Sequence, residues 1–370
     1  MKKNLALLLS SIFISLLIAE SAIRAIGYEK TTVTPLGGFH QYDKDLGWAL
    51  IPNFESKFAH RDFTVAIKTN SRGFRDEEYD YKKPISKKRI VGLGDSFTWG
   101  WGVEKNEIYL EVAESLMDWV EILNMGQNAY GTGQEYLYFK KFGEKYSPDL
   151  VTVAFVQNDL KDNIDGKGPI FGIVNDEIKL LSPPKNNSAD RIIKKFLVKH
   201  SHLYASILHG YHVLNDMIKS FISTNINDKV EKSGIPGKMA IYRKVIDETM
   251  EERWTIVEKI LLELHRESDE KLLVIYAPPR VQIERDRDIF RKFHADTEKY
   301  DFNYPNERLR KFTEKAGIYY LDLVEPFRRE YISSPGLYFE HDTHWSKFGH
   351  RVAGEMLAEK LGEIFASDIK

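Results

Sequence analysis

The stretch "RIVGLGDSFTWGWGV", from Arg89 to Val103, decides the fold. Its opening, Arg89 to Leu93, is a short apolar run that reads as a buried strand, with a glycine to end it. Gly-Asp-Ser follows, and the chain then turns towards a helix spaced over Ile108 to Met117. Glycines in such a turn let the backbone bend sharply and let another molecule come close to it. A serine at the carboxyl end of a strand, on a turn leading to a helix, is placed as a nucleophile. The plainer reading is a helix cap, because Asp and Ser both cap helices well.

The strand-then-helix pattern repeats downstream. "VEILNMG" (Val120 to Gly126) is a second apolar strand ending in glycine, and Gly133 to Tyr146 has helical spacing. "DLVTVAFVQND" (Asp149 to Asp159) is a third strand, "KLLVIYAPP" (Lys271 to Pro279) a fourth and "IYYLDL" (Ile318 to Leu323) a fifth. A long helix from about Lys238 to Arg266 precedes the fourth strand, and "SKFGHRVAGEMLAEKLGEIF" (Ser346 to Phe365) closes the chain as a helix. Alternating strands and helices, with strands apolar throughout, predict a mainly parallel sheet covered on both faces. Sheets of this kind bind ligands beyond the carboxyl ends of their strands. The residues there are Asp95 and Ser96, then Gly126 to Gly133, then Asn158 and Asp159, then Pro278 to Arg280.

Composition narrows the function classes. The chain has 370 residues, 42% of them hydrophobic, enough for a large core or two modest ones. The net charge of -2 gives no nucleic-acid footprint. With no cysteine, disulfides, thiolate metal sites, cysteine nucleophiles and a lipid-bearing cysteine anchor are all excluded. Lys2 and Lys3 precede an apolar run from Leu5 to Ala19, extendable past Glu20 to Ile26. That pattern reads as an export signal retained as a membrane anchor over residues 1–27. A signal cleaved near Ala19-Glu20-Ser21, leaving a secreted protein, is the alternative; a buried core helix is a third reading. With Lys2 and Lys3 inside, the body of the protein lies on the extracytoplasmic side.

A serine nucleophile needs a base, and the base needs an orienting carboxylate. The last third of the chain offers "FEHDTHWSKFGH" (Phe339 to His350), where Asp342 and His344 flank one residue just before the closing helix. If that segment is extended, both side chains point the same way. The oxyanion formed by attack needs hydrogen-bond donors. Candidates are the Ser96 N–H, a backbone N–H in the glycine turn after the second strand, and the Asn158 amide.

These residues also carry a resemblance. "GDSFTWG", "NMGQNAYG", "VQND" and "DTHW" resemble, in order, the four blocks of the SGNH (GDSL-type) hydrolase superfamily. The resemblance covers about half the chain. It implies a flavodoxin-like three-layer α/β/α sandwich, with Ser96 as nucleophile, His344 as general base and Asp342 orienting the histidine. It further implies an oxyanion hole from the N–H of Ser96, a block-two N–H and Asn158. The sequence departs from the family pattern in places. Alignment puts Ala129 where block two usually has glycine, and Val156 replaces the usual glycine of block three. The last block is Asp-x-His, not the commoner Asp-x-x-His. With Trp345 following, it resembles the branch that O-acetylates alginate and related polysaccharides, where that pair precedes the serine in sequence. "NSRGFRD", "DLGW" (Asp45 to Trp48) and the anchor resemble a membrane-anchored bacterial subgroup.

The domain organisation expected is an anchor over 1–27, a small β-rich extension over 28–85, and a hydrolase-like domain over 86–367. A polar, lysine-rich, partly helical insertion over about 161–237 has a loop at "SPPKNNS" (Ser182 to Ser188) and reads as a cap. The function implied is a serine ester hydrolase acting on acyl groups, acetyl foremost, of an envelope glycan or lipid. The alternatives are an O-acyltransferase to cell-surface polysaccharide, a glycan-binding scaffold without chemistry, and a long-chain thioesterase or lipase. No cofactor or metal is called for. A metal site of His341, Asp342, His344 and His350 would leave Ser96 unexplained. His341 and His350 read as surface or helix-end groups and Asp159 as structural. Trp99 and Trp101 read as pocket lining or packing, and Arg280 as a candidate for an anionic substrate group.

Overall fold

The computed structural model describes residues 2–27, 31–32, 38–166, 168–184, 196–197, 200–208, 210–211, 214, 237–284, 299–334 and 336–366. Helix α1 spans Lys2–Ala25 and is long and apolar enough to cross a membrane, with a mean hydropathy of 2.1 over its best window. A hairpin follows, β1 (Glu55–Ala59) and β2 (Thr64–Lys68), antiparallel. Its inward residues Phe58, Val65 and Ile67 build a small core with Phe39, Leu50 and Trp99.

The larger core is built on parallel strands β3 (Lys88–Gly94), β4 (Val120–Asn124), β5 (Leu150–Phe155), β8 (Leu272–Tyr276) and β9 (Tyr319–Asp322). Between β5 and β8 lies a separate antiparallel hairpin, β6 (Ile170–Val174) with β7 (Glu177–Ser182). The spatial order of the parallel sheet is β9-β8-β5-β3-β4. Counting only these five in sequence, that is 2-1-3-4-5, the flavodoxin-like order. Every residue of β4, β5 and β8 is buried, so both sheet faces are covered.

The covering helices are α2 (Ser96–Trp99), α3 (Tyr109–Ser115), α4 (Thr132–Lys141), α5 (Asp159–Asp165), α6 (Glu248–Glu267), α7 (Tyr304–Ala316), α8 (Val324–Ser333) and α9 (Lys347–Ile364). Among them α9 packs against α3 and α8, and α4, α5 and α6 pack against one another. Helix α6 shows why the sequence folds this way. Asp247 caps it by accepting from the Met250 N–H, and Met250, Trp254, Val257, Leu261 and Leu264 recur at helical spacing on its buried side.

The chain order reverses between β3 and its neighbours β4 and β5. Ser96 follows β3, Ala129 lies after β4, and Asn158 follows β5. The crevice at the switch point is therefore the meeting place of the first three blocks. The expected insertion opens with the β6–β7 hairpin, which sequence reading did not anticipate. The expected loop Ser182 to Ser188 lies mostly outside the described residues, as does most of the insertion beyond it.

Candidate active site

Asp95 and Ser96 sit at the strand-to-helix turn after β3. The Asp95 carboxylate caps the short helix, accepting from the Phe97 N–H at 2.9 Å. The cap and the candidate nucleophile are thus adjacent residues. Gly126 explains the tight fit of the neighbouring block. A Cβ there would lie 2.3 Å from the Trp99 backbone nitrogen, so only glycine allows the block-two segment to approach the serine-bearing helix.

Ser96, His344 and Asp342 form one hydrogen-bonded chain. Ser96 Oγ is 2.7 Å from His344 Nε2, and His344 Nδ1 is 2.5 Å from Asp342 Oδ1. With Nδ1–H donating to the carboxylate, Nε2 is free to accept the serine proton. The Asp-x-His segment is not extended, as the same-side argument assumed. It is a bend, closed by the His344 N–H donating to Asp342 Oδ1 at 2.8 Å. Both side chains still converge, because the carboxylate takes the backbone and ring donors of the same histidine. Burial acts to raise the Asp342 carboxyl, but the hydrogen bonds and charge of His344 outweigh it and hold it down at about 2.

Trp101 completes the constellation, a role sequence reading missed. Its indole N–H donates to Asp342 Oδ2 at 3.1 Å. Its ring stacks on the His344 imidazole with centroids 4.9 Å apart and planes 21° apart. Phe97 meets the imidazole too, also at 4.9 Å. The only sequence signal was a tryptophan set between two glycines. Trp99 instead is fully buried, stacked on Phe39 in the small core, and is packing.

The loop carrying Asp342 and His344 is bolted to the end of β8. The Tyr338 hydroxyl and the Trp345 indole N–H both donate to the Pro278 carbonyl. Arg280 is part of this fastening. Its guanidinium is mostly buried, pairs with Glu284 at 2.6 Å, and donates to the carbonyls of Phe339 and Glu340. The candidate role of Arg280 in binding a substrate anion is therefore replaced by a structural one.

The proposed oxyanion donors differ in setting. Asn158 is half-buried, and its amide nitrogen lies 3.4 Å from Asp95 Oδ2 and 3.1 Å from Asp162 Oδ2. Ala129 is exposed and has φ of 60°, in the left-handed region that favours glycine. Its backbone thus keeps the conformation that a glycine at that place would adopt without strain.

Behind the site lies a group of buried carboxyls that sequence reading did not foresee. Burial pushes Asp95 up to about 6 despite its hydrogen bond from Phe97. Burial, with mutual repulsion, raises Glu135 and Asp159 well above the usual carboxylate range. Asp159 is fully buried and accepts the Val156 N–H, in keeping with a structural role. His350 is a helix-end group but not a surface one. It is fully buried, its Nδ1 accepts the Tyr109 N–H at 3.3 Å, and burial lowers it to about 3. His341 is exposed, its backbone N–H donating to Asp62. Among the described residues no cluster of three or more His, Asp or Glu is arranged to hold a metal.

Residues 239–367 match the family described as SGNH hydrolase-like domain, acetyltransferase AlgX. No curated protein matches the chain. Solved structures align over most of its length at low identity. A lipolytic protein of the G-D-S-L family from Veillonella parvula is 13% identical, with 73% of this chain and 96% of that chain covered and a TM-score of 0.39. The lipase/acylhydrolase from Enterococcus faecalis is 12% identical, covering 75% and 96%, with a TM-score of 0.39. A catalytic mutant of an acetylxylan esterase from Geobacillus stearothermophilus is 11% identical, covering 75% and 95%, with a TM-score of 0.40.

Proposed function

We propose that this SGNH-type, ester-acting enzyme works by acyl transfer through Ser96. The observation that carries the reading is the Ser96–His344–Asp342 chain, with its 2.7 and 2.5 Å links. Ser96 Oγ attacks the ester carbonyl while His344 Nε2 takes its proton. Asp342 holds the imidazole in the required tautomer and stabilises the imidazolium that forms. The Ser96 N–H, the Ala129 N–H and the Asn158 amide receive the oxyanion. The tetrahedral intermediate expels the alcohol, which takes the proton back from His344, and an acyl-serine remains. His344 then deprotonates the acceptor, which attacks the acyl-serine and frees Ser96.

The substrate proposed is an O-acyl ester, acetyl foremost, of a cell-envelope glycan. Water as acceptor makes the protein an esterase. A sugar hydroxyl as acceptor makes it an O-acyltransferase, and the match of residues 239–367 to a domain described as an acetyltransferase favours keeping that second reading. Helix α1 is proposed to span the membrane, with Lys2 and Lys3 on the cytoplasmic side and the remainder outside.

The test is p-nitrophenyl acetate turnover, and labelling by a fluorophosphonate, of the full-length chain in detergent beside Ser96→Ala. Turnover and labelling lost together in Ser96→Ala support the acyl-serine. Equal labelling of the two proteins overturns it. Adding O-deacetylated glycans and weighing the products then separates transfer from hydrolysis.

A further inference from the structure

Arg75 belongs to the segment ahead of the first core strand, yet it reaches into the turn after the serine. It is 1% exposed. All four of its hydrogen bonds go to main-chain carbonyls. One terminal nitrogen donates to Gly100 at 2.6 Å and Trp99 at 3.3 Å. The other donates to Val103 at 2.7 Å and to Ala66 of β2 at 3.0 Å. The guanidinium also sits 4.8 Å from the centre of the Trp99 ring. Burial lowers it to about 10, with Glu104 opposing that shift most strongly among the nearby acids. A buried cation costs free energy, so the carbonyls it gathers must matter to the fold or to the site.

The Gly100 and Val103 carbonyls bracket Trp101. The Gly100–Val103 turn makes few bonds of its own: Gly100 and Trp101 donate to the Ser96 carbonyl, and Val103 donates to Gly100 at 3.4 Å. Trp101 is the residue that donates to Asp342 and stacks on His344. The next residue in the chain, Asp76, accepts the Asn124 N–H at 2.7 Å, just before block two. Asn124 in turn accepts the Gly126 N–H through its side chain. Two adjacent residues of the "GFRD" segment therefore grip the serine-bearing turn and the neighbouring block. Glu104 works from the other side, taking the Ala66 N–H, so both backbone groups of Ala66 are tied to this turn.

We propose that Arg75 is a positioning residue, fixing the Gly100–Val103 turn so that Trp101 stands against Asp342 and His344. Its link to catalysis rests on the acyl-serine reading. The link to Trp101 does not, and can be read without turnover.

The experiment uses the full-length chain in detergent, with Arg75→Lys, Arg75→Gln, Trp101→Phe and the Arg75/Trp101 double variants. Lysine keeps the charge but cannot bridge Gly100 and Val103 with a fixed fork. Glutamine keeps polarity and serves where lysine does not fold. Phosphonylation of Ser96 by a fluorophosphonate, with loss of fluoride, measured well below each melting temperature, is expected to slow by at least about tenfold in Arg75→Lys, as in Trp101→Phe. The double variant is expected to be no slower than the slower single, because both changes break one link. Independently, 5-fluorotryptophan labelling gives resonances for the six tryptophans. The one lost in Trp101→Phe is expected to shift in Arg75→Lys, while that of Trp254 stays in place. A lower melting temperature with an unmoved Trp101 resonance and unchanged phosphonylation overturns the proposal, as do fully additive rate losses. If Ser96→Ala is labelled by the fluorophosphonate as fast as the wild type, the acyl-serine reading has failed instead, and the Trp101 resonance still decides the role of Arg75.

Discussion

Replacing Asp342 by Asn tests the relay most directly. Three donors converge on this carboxylate: the His344 ring Nδ1–H and backbone N–H on Oδ1, and the Trp101 indole N–H on Oδ2. An amide offers one oxygen. If that oxygen faces His344, the new NH2 faces the indole N–H, donor against donor. If the NH2 faces His344, it forces the proton onto Nε2, which then cannot accept from Ser96. Either arrangement disables the base or displaces Trp101. Triads of this geometry lose about three to four orders of magnitude in rate on such a change, or roughly 4–5.5 kcal/mol of barrier. The same variant carries a stability signature. The Asp342 side chain is 12% exposed and its carboxyl is held near 2, against 3.8 unperturbed. A depressed carboxyl stabilises the fold above the unfolded value and loses that contribution as pH falls through the folded one. The Asp342→Asn variant therefore forfeits about 2 kcal/mol at pH 7, and the gap to wild type closes towards pH 2. The assays are p-nitrophenyl acetate kinetics and urea unfolding of the full-length chain at pH 7 and pH 3. Turnover within tenfold of wild type, with Ser96→Ala inactive, would refute the tautomer argument.

Asn158→Ala should slow acylation about 100-fold if its amide receives the oxyanion, read from p-nitrophenyl acetate kcat. At exposed Ala129, with its φ of 60°, valine should lower stability by about 1–2 kcal/mol in urea unfolding although no packing is lost, whereas glycine should not lower it. His350 is buried and lowered to about 3, so its neutral form supports the fold: that contribution is intact above 6.5 and is lost as pH falls towards 3. His350→Asn, whose Oδ1 can accept the Tyr109 N–H, should flatten the decline in melting temperature between pH 6.5 and 4.

What the sequence revealed, and what it hid, follows from how far apart the contacting residues are. The five strands were legible because each is a continuous apolar run bounded by glycine or polar residues, the pattern of a strand covered on both faces. Their carboxyl ends named the candidate residues, since in such a sheet that edge is where ligands sit. The β6–β7 hairpin was not legible. Its turn is Asn175-Asp176, both at positive φ as a tight hairpin requires, and it joins two short runs, IFGIV and EIKLLS, at the start of an otherwise polar insertion; Phe171 finds its partners on α6. His350 carried no local sign of burial, because Tyr109, which stacks on it and donates its N–H to it, meets it only through the packing of α9 on α3. Asp342 and His344 could be paired because a single residue separates them. Trp101 could not be joined to Asp342, which is 241 positions away. Arg75 could not be joined to the serine-bearing turn, because its partners are carbonyls, and a carbonyl leaves no mark in a sequence. The side chains proposed as catalytic were thus nameable by type and place. The groups that hold them became visible only once the chain had brought its amino-terminal segment and its last loop together around Trp101.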